Sequence, residues 1–370
     1  MQHCSIFLNS KLQEWSPVNT HFMRRRQLLL AGVGLPVLAA PVWGQGQRAR
    51  VPELSSLDIM LDEPDQFRHL PLYLAQSLGF FEQEQLTVRL THAPIEAQTL
   101  EQQASLRTEV FAGSFERVLY MHGNNHANQA FLMLSRTPSV VLGARGQLTS
   151  SGQAGGQITE LAGMRWGVGP PAGLTHRVAM LCLQRAGLRA TDVQWIHMPS
   201  ESQLLTAFEA QQIDVLAVTD LPATQLERAG QMRVLLDTRT LRDTDWLYGG
   251  PSAGVCLSAN SAFIDRNQLT IQGATQAVLK AMVWMRTATP TDLIRHVPKA
   301  LLDSNPAVFF GAWSRSREAF SSDGVFPEGA ALNMLKSLHR LQMLPDVSGI
   351  NPAQTFNNRF AIRSRQLLRA

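Results

Sequence analysis

Cysteine is scarce in this chain. Cys4, Cys182 and Cys256 are the only three, and no two stand in C-x-x-C spacing, which argues against zinc ribbons and iron–sulfur ligation. Lysine is nearly missing as well: it supplies four of the 33 basic residues (Lys11, Lys280, Lys299 and Lys336), leaving 29 arginines. These form no basic block of the kind that makes a nucleic-acid arm, so no nucleic-acid partner is expected. There is no G-x-x-x-x-G-K-[ST] loop and no G-x-S-x-G elbow, and Gly167-Val168-Gly169 runs into Pro170-Pro171 instead of a dinucleotide fingerprint. The apolar run Leu28 to Ala40 counts 13 residues, short of the roughly 20 that a spanning helix needs. What is present is a chain of 370 residues, 45% apolar and only 17% charged, able to bury a large core and not compositionally disordered.

Three arginines, Arg24 to Arg26, precede that apolar run, and small residues follow it up to Gly44. This is the order of an export signal, and Arg25-Arg26-Gln27-Leu28-Leu29 is twin-arginine-like. Residues 1–44 are therefore expected to be a removable address, with Met23 the better start and cleavage near residues 40–46, and the mature protein is expected in the periplasm. Removing that segment discards Lys11 and Arg24–Arg26 but only Glu14, so the mature chain would be close to neutral and the formal +4 belongs mostly to the signal.

From Leu57 onward strand and helix patterns alternate, which reads as α/β layering. Strands are expected at Ser56–Leu61, Leu86–Thr91, Glu109–Ala112, Ala130–Leu134 and Ser139–Ala144, with helices at Leu72–Leu78, Thr99–Leu106 and Phe115–His122. The Gly/Ser/Gln stretch 150–157 reads as a linker. A second alternating unit follows, with strands at Arg165–Gly169, Asp192–Met198, Asp214–Thr219 and Arg233–Asp237 and helices at Thr175–Ala186, Glu201–Ala210 and Pro222–Ala229. Gly254–Ala259 is a strand leading out. The remainder reads as helical: Thr270–Thr287, Thr291–His296, Ala307–Phe320 and Glu328–Gln342.

Four places share one geometry, a strand end followed by small or turn residues and a helix start: Asp65–Pro71, Gly113–Phe115, Gly169–Thr175 and Thr219–Pro222. Helix N-termini expose unpaired N–H groups and suit anionic or polar ligands, and such turns gather at the carboxyl ends of strands. Two fall in each unit, so facing units would grip one small molecule. His122 and His126 have the spacing of helical zinc ligands, but Gly123 and two asparagines interrupt the helix, so no metal is expected.

The segments His69-Leu-Pro-Leu-Tyr-Leu-Ala-Gln-Ser-Leu-Gly-Phe-Phe81, Gly113–Met121, Leu161–Val168, Gly173–His176, Ile213–Pro222, Gly249–Pro251 and Thr355–Phe360, in this order, resemble the solute-binding proteins of ABC importers for nitrate, sulfonate, taurine and related anions. That group includes thiamine-pyrimidine-like binders. The resemblance implies a two-lobed periplasmic binding protein of the second type (Venus-flytrap), with lobe I from 50–145 and 254–370, lobe II from 146–253, crossover strands near Val140–Arg145 and Gly254–Ala259, and the helical C-terminal part packed on lobe I. It further implies a monomer without cofactor or enzymatic activity that closes on a small anion and delivers it to an inner-membrane permease. The implied pocket comprises Phe67, Arg68, Ser114, Phe115, Gly173, Leu174, Thr175, Thr219, Asp220 and Tyr248: backbone N–H groups at 114–115 and 174–175 for oxyanion oxygens, Ser114 and Thr175 hydroxyls as further donors, Arg68 for charge, and Phe67, Phe115 and Tyr248 as apolar walls. Arg117 stands where relatives often carry His. The alternatives are an enzyme of the thiamine-pyrimidine synthase type on the same scaffold, or a sensor that presents its ligand to a receptor. Cys182 and Cys256, in different lobes, are expected to be small buried hydrophobes.

Overall fold

The computed structural model describes residues 51–145, 158–302, 305–344 and 346–369. The expected export signal, residues 1–44, and the expected linker, residues 150–157, lie outside them. Alternating burial along Ser56–Leu61 (β1) and the buried run Val110–Gly113 of Val110–Ser114 (β3) give one half-covered and one central strand. With Thr87–His92 (β2) they pair in parallel, and Asn128–Met133 (β4) completes the set. The second sheet is built the same way from Arg165–Val168 (β6), Gln194–His197 (β7), Val215–Val218 (β8) and Arg233–Asp237 (β9).

Each sheet is completed by a strand from elsewhere in the chain. Val141–Ala144 (β5) enters the second sheet antiparallel, giving the order β7-β6-β8-β5-β9, and Val255–Asn260 (β10) enters the first antiparallel, giving β2-β1-β3-β10-β4. Two segments therefore cross between the lobes, and they are stitched to each other. Ser135 Oγ accepts from Val255 N at 2.9 Å and donates to Thr137 O at 3.0 Å, Gly254 N donates to Ser135 O at 2.9 Å, and Thr238 Oγ1 accepts from Val140 N at 2.9 Å. A Cβ at Gly254 would lie 1.9 Å from Thr137 O, so only glycine lets the two crossovers touch.

The helical C-terminal part packs mainly on the first lobe, where Gln268–Thr287 lies between Leu70–Ser77 and Arg359–Arg369. Two helices reach across. Ala330–Arg340 contributes Met334, Leu335 and Leu338 to one apolar cluster that also holds Phe115 of the first lobe and Trp166 and Leu247 of the second. Pro306–Ser316 packs on Asp220–Arg228, with Gly311 in the contact: a Cβ there would come within 2.9 Å of Thr224 Cγ2. That helix stops at Ser316, because Phe320 leaves it to bridge Ser135. The expected helix to Phe320 is thus four residues too long. Leu241–Tyr248 and Arg359–Arg369, and the shorter helices Phe80–Gln83, Ser261–Arg266 and Lys299–Leu302, match none of the helix ranges expected from sequence. Cys182 and Cys256 are free thiols, both buried.

Candidate functional site

β1 ends at Leu61, and the chain turns through Asp62, Glu63 and Pro64 into a single 3-10 turn, Phe67–His69. That turn splits its residues between two sides. Phe67 goes into the lobe-I core, edge-on to Phe309 at 5.5 Å and near Trp313 and Phe320. Arg68 points back to the strand end and pairs with Asp62 (3.1 Å) and Glu63 (3.2 Å). His69, fully buried, shares a hydrogen bond of 2.7 Å with Asp62. Burial opposes ionisation of Asp62, but Arg68 and His69 outweigh it and hold the carboxyl well below its ordinary range; burial in turn pushes the His69 imidazole down.

β3 delivers the next group. Ser114 caps helix Phe115–Gly123 by accepting from Glu116 N at 3.2 Å. Glu116, 1% exposed, then reaches the second lobe. Arg177 binds it through Nε at 2.8 Å and Nη2 at 2.6 Å, and Tyr248 donates at 3.4 Å. Arg177 stands in the first turn of helix Leu174–Arg185, where its Nη1 also donates to Ala172 O at 2.8 Å. One carboxylate of lobe I is thus held by two side chains of lobe II, with Arg177 also buried. Burial, then the charge of Glu116, raises the Tyr248 phenol well above its usual value.

These groups surround two adjoining chambers that share Glu63, Gln98 and Leu174. The inner one, lined by Asp62, Arg68, Ser114, Glu116, Arg177 and Tyr248, encloses about 20 Å³, room for about one water. The outer one encloses about 210 Å³ between Glu63, Pro64 and Ile95 of the first lobe and Gly173, Thr175, Glu201 and Thr219 of the second. Glu201 opens helix Glu201–Glu209, which Ser200 caps, and it accepts from Thr219 N at 2.7 Å and Thr219 Oγ1 at 2.9 Å. Burial pushes its carboxyl up to about 7 against those hydrogen bonds, and the charge of Glu63 adds to the rise. Helix Leu174–Arg185 has no side-chain cap, and its first turn lines both chambers, Leu174 and Arg177 the inner one and Leu174 and Thr175 the outer one.

Seven of the ten residues anticipated from sequence line these chambers: Arg68, Ser114, Gly173, Leu174, Thr175, Thr219 and Tyr248. Three do not. Phe67 is a core residue, Phe115 packs on Phe326 at 5.2 Å, and Asp220 turns away to accept from Ser316. One further role needs correcting: the Phe115 N–H is spent on Gly254 O at 2.8 Å. The Thr175 hydroxyl oxygen accepts from Gly169 N at 2.9 Å, which braces its own loop without using its O–H. The first lobe therefore meets the cleft with side chains, while the second offers an open helix end beside the side chains of Arg177, Tyr248 and Glu201. Asp62, Glu63, Glu116, Arg177 and Glu201 were missed. Their common signal is position: strand C-terminal end or first helical turn, where α/β ligand sites form. His122 is bonded to Asn128 O at 2.6 Å.

Two lobes, each a five-stranded sheet completed by a crossing strand, with charged groups meeting in the cleft, define the periplasmic-binding-protein fold. The chain belongs to the NMT1/THI5-like family, whose sequence model matches residues 66–291. It is similar to a protein from Bordetella bronchiseptica RB50, with 28% identity and a TM-score of 0.72 over 86% of this chain and 99% of that one. It also shares its fold with the aliphatic sulphonate binding protein SsuA from Escherichia coli (17% identity, TM-score 0.63, 82% and 92% covered). The nitrate-binding protein NrtA from Synechocystis PCC 6803 is similar at 12% identity and TM-score 0.63, with 86% and 90% covered. No curated protein matches the chain.

Proposed function

We propose that this protein is the exported solute-binding component of an ABC importer. It closes its two lobes on a small solute carrying an oxyanion and hands that solute to a permease in the inner membrane. The observation that carries the reading is the cleft itself: its walls come from both lobes, and the lobes are joined by two crossovers bonded to each other, the arrangement a hinge requires. The uncapped end of helix Leu174–Arg185 supplies the oxyanion donors. Arg177 and Tyr248 against Glu116 mark the closed state. The N-terminal residues 1–44 act as the export signal, the mature protein works as a monomer, and residues 146–253 move as one lobe against the rest.

Binding is tested by thermal unfolding of the purified protein against small sulfonates, carboxylates, nitrate and amino acids. A ligand present at 100 times its Kd stabilises the folded state by about 2.7 kcal/mol. A protein whose melting temperature answers to none of these classes is not a solute receptor.

A further inference from the structure

A second cavity lies outside the cleft, on the first lobe. Along helix Gln268–Thr287, Met285 and Arg286 stand three and four residues after Met282, so the three share one face. Helix Pro306–Ser316 brings Trp313 beside them, and the segment after it adds Arg317, Glu318 and Phe320. Arg136, from the crossover that follows β4, closes the other side. The space between them encloses about 470 Å³, against about 210 Å³ in the outer chamber of the cleft, and is of the size that small-molecule sites have.

Its chemistry is divided. Met282, Met285 and Trp313 are buried and Phe320 half-buried, which gives an apolar floor whose thioethers adapt to the shape of a ligand. Around it stand three guanidiniums, Arg136, Arg286 and Arg317. Among the described residues, none of the three is in an ion pair. Glu318 is the one carboxylate that lines the cavity among those residues, and it is committed elsewhere: its Oε1 accepts from Leu241 N at 3.2 Å. Two of the guanidiniums are held in place. Arg317 lies 5.7 Å from the centre of the Trp313 ring and donates from Nη2 to Arg286 O at 2.9 Å. Arg136 donates from Nη2 to Glu318 O at 3.1 Å, and its backbone N–H donates to Ala319 O at 2.7 Å. That leaves the Arg136 Nε, buried and without a hydrogen-bond partner, as a donor in need of an acceptor.

We propose that this cavity is a second ligand site, for a small amphipathic anion whose apolar chain or ring lies on the Met282, Met285 and Trp313 floor and whose carboxylate sits among Arg136, Arg286 and Arg317. Three like charges around one cavity repel one another, and an oxyanion among them relieves that repulsion. A guanidinium offers paired N–H groups that match the two oxygens of a carboxylate. Neither half of the ligand suffices: a bare anion leaves the floor in water, and a neutral hydrocarbon leaves the charges unanswered. The site is separate from the cleft, and the proposal does not rest on the solute-receptor reading.

The test is calorimetric titration of the purified protein with octanoate and naphthoate, and with one control for each half of the ligand, acetate and octanol. Both larger carboxylates are expected to bind at least tenfold tighter than either control, a difference of about 1.4 kcal/mol. Arg286 and Arg317 are exposed, so R286S, R317S and the double variant are expected to keep the melting profile of the unaltered protein. Each is expected to weaken both carboxylates, the double variant at least tenfold. Vesicles of phosphatidylglycerol separate a lipid surface from a free acid, and they are expected not to sediment the protein. Carboxylates that bind no better than the controls, an R286S/R317S protein that binds them as the unaltered one does, or adsorption to vesicles without binding of octanoate each overturn the inference and leave the receptor function standing.

Discussion

At Glu116 the two lobes meet through one carboxylate, and its partners make it the sharpest residue-level test. Arg177→Ala leaves that carboxylate buried and unpaired, and removing one member of such a pair costs about 3–5 kcal/mol. Removing both, in R177A/E116A, is expected to recover most of the loss; denaturant unfolding of the four proteins measures the coupling. Asp220 tests pH. Burial pushes its carboxyl up to about 6, while the Ser316 hydroxyl and then Arg239 pull it down. Its folded-state value lies above the ordinary 3.8, so its contribution is present below pH 4 and is lost as pH rises through 6. Asp220→Asn is expected to flatten the decline of melting temperature between pH 4 and 6. Little of this was legible in the sequence. Arg68 stood out as a charge in the first loop, but the same loop suggested Phe67, and nothing local reveals that one 3-10 turn sends Phe67 to the core and Arg68 to the cleft. Glu116 and Arg177 look like ordinary helical charges, because their meaning depends on which helix faces which across a gap of 60 residues.

Elements were far easier to read. β1 and β9 lie at Ser56–Leu61 and Arg233–Asp237, as alternation and apolar runs indicate, and Ser200 caps its helix, as the Ser200/Gln203 spacing indicates. Periodicity failed for Leu241–Tyr248, whose Asp and Thr residues hide its helical face, although Thr240 accepting from Asp243 N is a capping signal in plain view. It failed for Arg359–Arg369 because arginines dominate that segment. The crossovers give the element-scale prediction. Gly254→Ala forces a methyl group into Thr137 O and the Ser135 hydroxyl, and overpacking of this kind costs about 1–3 kcal/mol or more. Gly187→Ala, at φ +80° with open space around it, is expected to cost about 1–2 kcal/mol from backbone conformation alone. Chemical denaturation of the two variants separates steric conflict from backbone preference.

On the scale of the whole molecule, the contact of helix Pro306–Ser316 with Asp220–Arg228 closes the cleft on the face where Arg315 pairs with Glu227 at 2.9 Å. Cysteines at Gly311 and Thr224 would sit within disulfide reach, given the 2.9 Å approach of a Cβ at 311 to Thr224 Cγ2. The oxidised G311C/T224C protein is expected to stay closed and to exchange ligand far more slowly than the reduced form, as read by stopped-flow release. Free exchange in the oxidised form would show that this face does not separate when the cleft opens. The exchange of strands between the sheets has a different consequence, one for biosynthesis. Until residues 255–260 have been made, β3 and β4 have no strand between them, and the first lobe carries two raw edges of the kind that pair with other chains. A nascent chain halted before Gly254 therefore cannot store a finished first lobe while it waits. The protein acquires both lobes almost together, late in synthesis, and a truncated product ending there should aggregate instead of surviving as half a molecule.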